Sequence, residues 1–177
     1  DPETGEEVGP GVNGEFCARG YNTMKGYYKM PEATRDTVDA EGWLHSGDLA
    51  CKDADGTYRI TGRLKDMIIR GGENIYPTQI EEVLNSHPKV KDCIVTAVPD
   101  RVRGELVTAY VVKSNDSLTV DELEEFCKNS PQIANYKRPR YYRFVSQIPL
   151  NATGKKLHYK IKEIAKDDLM NGLLIRA

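Results

Sequence analysis

No apolar run in the 177 residues approaches the roughly 20 that a membrane span needs, and no basic-then-apolar leader opens the chain. Neither sign of charge dominates. The 25 Lys and Arg stand against 27 Asp and Glu, for a formal net charge of −2, which gives no electrostatic basis for binding nucleic acid or an anionic membrane. The four cysteines, Cys17, Cys51, Cys93 and Cys127, form no C-x-x-C pair, and each sits among apolar neighbours. This predicts buried free thiols in a reducing, cytoplasmic setting, not a disulfide framework or a zinc site. His45, His87 and His158 are just as scattered, so no metal-binding spacing is visible and no metal ligand set is expected. Internal repeats and low-complexity stretches are also missing. What remains is an ordinary globular composition, 39% hydrophobic and 29% charged, long enough for one domain or two small ones.

The pattern changes character part-way along. Residues 1–14 are mostly turn formers and acids, which predicts a loop. Glu15–Arg19 alternates like a short strand, Pro31–Thr37 suits one or two helical turns, and Trp43–Ala50 reads as extended. Asp53-Ala54-Asp55-Gly56 between two apolar runs predicts a hairpin. A calcium loop fits it poorly, because Cys51 falls at the first ligand position. These first ~60 residues are too few to bury a satisfactory core alone. After the charged knot Gly62-Arg63-Leu64-Lys65-Asp66, helical spacing over Pro77–His87 precedes two strands, Val90–Val98 and Leu106–Val112. Thr119-Val120-Asp121-Glu122 has capping-box form ahead of an apolar stripe. A strand at Tyr141–Val145 and a last helix over Tyr159–Met170, with Ile161, Ile164, Ala165 and Leu169 inward, complete the series. The expectation is an α+β chain: a β-rich piece over residues 1–64, then a compact domain over 65–177 with about three strands packed by helices.

Several residues could carry chemistry, though each has a plainer reading. Asp48, beside glycine at a strand end, could accept hydrogen bonds from a ribose diol, or be a solvated turn carboxylate. Arg63 offers a rigid fork of donors for a diol or phosphate, or a surface ion pair. Gly71-Gly72 allows close backbone approach to a ligand, or only a tight turn. Lys155, in the small-residue loop Ala152-Thr153-Gly154-Lys155, could reach an anion or simply be solvated. Taken singly, none is specific.

In order they are. Gly42-Trp43-Leu44-His45-Ser46-Gly47-Asp48, Tyr58-Arg59-Ile60-Thr61-Gly62-Arg63-Leu64-Lys65-Asp66, Arg70-Gly71-Gly72-Glu73-Asn74-Ile75-Tyr76-Pro77 and Asn151-Ala152-Thr153-Gly154-Lys155 together resemble the adenylate-forming superfamily. Within it the chain is most similar to the fatty-acid and aryl-acid CoA ligases, from about Gly9 to the last helix. The resemblance implies two steps. A carboxylic acid attacks ATP to give acyl-AMP, and coenzyme A then displaces AMP after a small C-terminal domain has rotated. It implies that residues 1–64 end the large adenylation domain and that 65–177 are the rotating domain. Asp48 and Arg63 would hold the ribose, Lys65 and Asp66 would be the hinge, and Lys155 would serve adenylation by offsetting charge where two anions meet. Gly71, Gly72 and Glu73 would line the pantetheine path, with Arg70, Lys137, Arg138 and Arg140 as candidates for the CoA phosphates.

Mg2+ is expected for the complete enzyme, with no ligands from this chain. The hinge lysine stands where many members have aspartate, and both occur in the family. The family's Ser/Thr/Gly-rich phosphate loop, its aromatic ATP motif and its acyl pocket have no counterpart here. The chain therefore reads as a C-terminal portion, inactive in isolation and lacking its N-terminal domain. Two other readings are a non-enzymatic CoA- or partner-binding module and an adenylation domain that loads a carrier protein.

Overall fold

The computed structural model describes residues 1–177, and the chain divides into two compact units, Asp1–Lys65 and Asp66–Ala177. The first unit is a three-stranded antiparallel sheet of β1 (Asn13–Ala18), β2 (Leu44–Lys52) and β3 (Tyr58–Arg63), in that order, with helix α1 (Pro31–Thr37) between β1 and β2. Proline opens α1, where its missing N–H costs nothing. The β2–β3 connection is the hairpin that Asp53–Gly56 predicts: the Asp53 N–H donates to the Thr57 carbonyl at 2.8 Å, and Gly56 closes the turn at φ +88°.

Both pairings in this sheet are irregular. Glu15 lies opposite Leu49 and Cys17 opposite His45, so two steps along β1 span four along β2. The two surplus residues of β2 fall within Ser46–Asp48, and the strand bulges out around Gly47, whose φ of +70° favours glycine. Asp48 faces Arg63 across the β2–β3 pairing.

The second unit begins at Asp66, the last residue of a 3₁₀ turn (Leu64–Asp66), and holds β4 (Ile68–Arg70), β5 (Glu73–Ile75), α2 (Pro77–Asn85), β6 (Val90–Asp100), β7 (Gly104–Lys113), α3 (Val120–Asn129), β8 (Tyr141–Phe144), α4 (His158–Met170) and β9 (Ile175–Arg176). The sheet runs β5-β4-β7-β8-β9, with β6 also paired to β7. All pairings are antiparallel except β7 with β8. The three expected strands are its centre, and the short β4, β5 and β9 widen it.

The long β6–β7 hairpin is covered on both faces. Cys93, Val95, Ala97, Val107, Ala109 and Val111 face a core shared with α2 and α3. Ile94, Val98, Tyr110 and Val112 face a second core closed by Ile161 and Ala165 of α4. The sequence reads both strands as apolar residues alternating with others, whereas the double covering places apolar side chains on both of their faces. Ile80, Val83 and Leu84 of α2 are at most 1% exposed, each worth about 1.5–3 kcal/mol of burial.

Three expectations need correction. Ile164 of α4 points outward and Asp168 takes an inward position, because its carboxylate has buried partners: Oδ2 accepts from the Tyr110 hydroxyl at 2.6 Å, and Oδ1 pairs with Arg143. The capping box is half formed. Thr119 Oγ1 accepts the Glu122 N–H at 3.2 Å, but the Glu122 side chain turns to Lys89. Cys51, Cys93 and Cys127 are buried and free, whereas Cys17 is only half-buried. No helix is long and apolar enough to cross a membrane.

Candidate functional site

In the first unit the chemistry gathers at the bulged end of β2. Asp48 Oδ1 accepts from Arg63 Nε at 2.8 Å, and both side chains remain open to solvent. The pair is preorganised by the sheet: the register sets the two residues opposite each other, and Ser46 Oγ accepts the Asp48 N–H at 3.0 Å. A carboxylate with a free oxygen beside a guanidinium with free N–H groups offers acceptors and donors together, the complement of a vicinal diol. Glu15, absent from the residues singled out by sequence, supports this loop from beneath through Oε1, which accepts the Gly47 N–H at 2.9 Å. Lys65 and Asp66 lie in the 3₁₀ turn that separates the units.

In the second unit Gly71 and Gly72 form the two-residue loop between β4 and β5, where Arg70 pairs with Glu73. Their φ values of +62° and +86° are those of a primed turn, which side chains other than glycine adopt at a cost. A Cβ at either position would meet nothing within 4 Å, so the turn's outer side is open. Glu73 is exposed beside it.

Lys155 is exposed at the end of a tightly tied loop. Asn151 Oδ1 accepts from the N–H groups of Thr153 and Lys155 and from the Thr153 hydroxyl, at 2.8–2.9 Å. The Asn151 N–H donates to the Lys155 carbonyl at 2.9 Å, and Gly154 sits at φ +81°. The neighbouring Lys156 is fixed by Asp92 and the Cys93 carbonyl, both at 2.6 Å. The backbone is therefore held, and the reach belongs to the Lys155 side chain alone.

Three of the four basic residues suggested for CoA phosphates already have partners, Lys137 donating from Nζ to Gln79 Oε1 at 3.1 Å. Arg138 is buried and bound by Glu124 and Asn135. Arg70 is also buried, its Nη1 donating to the Tyr136 carbonyl while its Nε has no partner. Burial and the neighbouring Arg140 and Arg103 guanidinium groups lower its pKa. The three guanidinium groups lie near one another by the β4–β7 pairing, with the Asp100 carboxylate also nearby, and Gly71 donates its N–H to the Arg103 carbonyl there at 2.8 Å. Sequence reasoning reads residues 99–104 only as a turn and gives Arg103 no role. It also missed Glu81, a buried helix carboxylate that accepts the Val95 N–H at 2.7 Å and whose pKa burial raises.

Only one place brings three metal-ligating side chains together: Glu15, Cys17 and His45, whose ligand atoms all lie within 4.8 Å of one another. Its sulfur and nitrogen do not suit Mg2+, which demands oxygen, and Asp48 is engaged by Arg63. The residues present do not fit Mg2+.

Residues 79–155 match the family described as "AMP-binding enzyme C-terminal domain". The putative acyl-CoA synthetase YngI of Bacillus subtilis is 51% identical over 164 residues, covering 92% of this chain and 30% of that protein. The mitochondrial medium-chain acyl-CoA ligase ACSF2 of Danio rerio is 43% identical over 170 residues, with 96% and 28% covered. The solved structure of ATP-bound MatB from Rhodopseudomonas palustris superposes with a TM-score of 0.85 at 36% identity, covering 94% of this chain and 33% of that one. The chain thus spans about 30% of the length of the curated relatives it matches.

Proposed function

From the premise that residues 79–155 match the C-terminal domain of AMP-binding enzymes, we propose that the chain works as the C-terminal part of an acid–CoA ligase. That enzyme converts a carboxylic acid, of fatty-acid class, to acyl-AMP with ATP and then to the CoA thioester. The observation that carries this reading is the position of Lys155: it is the last residue of the matched segment, and its side chain is solvent-exposed on a hydrogen-bonded loop. A lysine ammonium held out this way can approach the α-phosphate and the carboxylate oxygens, lowering the repulsion between them as the acyl–phosphate bond forms. Asp48 and Arg63 would bind the ribose hydroxyls. Lys65 and Asp66 would be the pivot, between the end of the adenylation domain (residues 1–64) and the rotating domain (residues 65–177).

In the thioester step the open turn Gly71-Gly72, with Glu73, would border the pantetheine arm. Exposed Arg103 and half-buried Arg140, beside buried Arg70, supply cationic charge for the CoA phosphates.

The test is Lys155→Ala in the complete enzyme. Pyrophosphate release from acid and ATP should fall by at least ~100-fold, the scale of losing one preorganised electrostatic contact. Thioester formation from supplied acyl-adenylate should continue near the original rate. Equal losses in both half-reactions would refute the assignment.

A further inference from the structure

Glu15, Cys17 and His45 have no part as a group in the adenylation reading, yet the β2 bulge draws them together. His45 Nδ1 lies 2.8 Å from Glu15 Oε2 and 3.6 Å from Cys17 Sγ. Zn–N and Zn–S bonds of ordinary length in a tetrahedron put nitrogen and sulfur about 3.5 Å apart, and nitrogen and oxygen about 3.3 Å apart. The sulfur contact already has that spacing, and the oxygen contact needs to open by a few tenths of an ångström.

The surroundings complete the pattern. His45 Nε2 lies 3.3 Å from Asp39 Oδ2. A proton on Nε2 donated to that carboxylate leaves the Nδ1 lone pair directed at the space between Glu15 and Cys17, the arrangement usual for ligating histidines. Glu15 is anchored through its other oxygen by the Gly47 N–H, which leaves Oε2 for the ion. The His45 side chain is 40% exposed, which gives an entry path and room for a water as fourth ligand.

We propose that Glu15, Cys17 and His45 form a binding site for a borderline-soft divalent cation of the Zn2+ class, with Asp39 orienting His45. Nitrogen, thiolate and carboxylate together select such an ion over Mg2+ or Ca2+. On binding, the Cys17 S–H bond is exchanged for an S–metal bond and the proton passes to solvent. Because Glu15 also holds the Gly47 N–H, an ion at this site stiffens the bulge that carries Asp48.

The test is titration of the 177-residue chain, stripped with a chelator, using Co2+ as a spectroscopic probe and Zn2+ as competitor. One Co2+ per chain should bind with near-ultraviolet thiolate-to-cobalt charge-transfer absorption, and Zn2+ should displace it. Cys17→Ser should abolish the band, and His45→Gln should weaken Zn2+ binding more than Asp39→Asn. The Asp39→Asn loss should be roughly 10–100-fold, as for an outer-shell partner. Trp43 fluorescence checks that each variant folds. For any that does not, the native chain answers instead: Zn2+ should protect Cys17, the one cysteine that is not buried, from alkylation. Absence of the band, its survival in Cys17→Ser, or alkylation unchanged by Zn2+ would overturn the proposal, leaving His45 as a hydrogen-bonded link between two carboxylates.

Discussion

Asp168→Ala asks what holds the last helix to the sheet. Asp168 is 5% exposed, in line with Ile161 and Ala165 on the inward side of α4. Its carboxylate accepts from the Tyr110 hydroxyl at 2.6 Å and pairs with Arg143. Tyr110 is fully buried, and burial together with the adjacent carboxylate raises its pKa. Alanine would strand that hydroxyl, at a cost of about 1–3 kcal/mol. Breaking a fully buried ion pair costs about 3–5 kcal/mol, but the Arg143 side chain is 29% exposed and can turn to water, so only part of that applies. The expected loss is therefore about 2–4 kcal/mol, a large share of the 5–15 kcal/mol usual for a folded domain. Urea unfolding followed by far-ultraviolet circular dichroism reads it, since α2, α3 and α4 all lie in the second unit. With m near ~2 kcal/mol/M the midpoint should drop by roughly 1–2 M. Asp168→Asn keeps an acceptor for Tyr110 and should lose about half as much. Trp43, the single tryptophan, lies in the first unit and provides a separate fluorescence signal. A loss under ~1 kcal/mol for the alanine variant at unchanged m, or equal losses for alanine and asparagine, would refute the view that this carboxylate locks α4.

Gly72→Ala forces φ +86° on a residue with a Cβ, at a cost of about 1–2 kcal/mol, but meets no atom. In the complete enzyme it should slow thioester formation more than adenylate formation, and a reversed order in single-turnover assays would count against the pantetheine role. Lys65→Pro fixes φ at the proposed pivot. It should leave one half-reaction intact and disable the other, and normal rates in both would remove the hinge assignment. Arg103→Ala should raise the KM for CoA several-fold while leaving the KM for ATP unchanged. A change in both, or in neither, would dissociate the arginine cluster from CoA.

The features legible in the sequence are those settled within a few residues. Pro77 starts α2, Thr119 caps α3 through a bond to Glu122, and Gly71-Gly72 turns β4 into β5, each by a preference acting over one to four positions. The α+β class and the central β6, β7 and β8 strands follow from patterning of the same range. The inward side of α4 was not legible. Spacing alone favours Ile164 over Asp168, and what reverses the choice is a tyrosine hydroxyl 58 residues away. Glu81 is similar: an acid on a short helix reads as solvated until the Val95 N–H, on the next strand, appears above it.

The candidate sites divide along the same line. Asp48, Arg63 and Lys155 were proposed because their motifs are linear, and the structure adds how each side chain is held. The Glu15–Cys17–His45 group is different in kind. In a regular antiparallel ladder paired through Glu15 and Leu49, Cys17 would stand opposite Gly47, and His45 would lie two residues further along β2. The two surplus residues that β2 pushes out around Gly47 move the register, so that Cys17 meets His45 while Glu15 reaches under the loop. No linear spacing encodes that shift, so the cluster is invisible in the spacing of the histidines and cysteines. The bulge that presents Asp48 is therefore also what assembles the proposed cation site, and a substitution that regularised β2, such as deletion of Ser46 and Gly47, should remove both together.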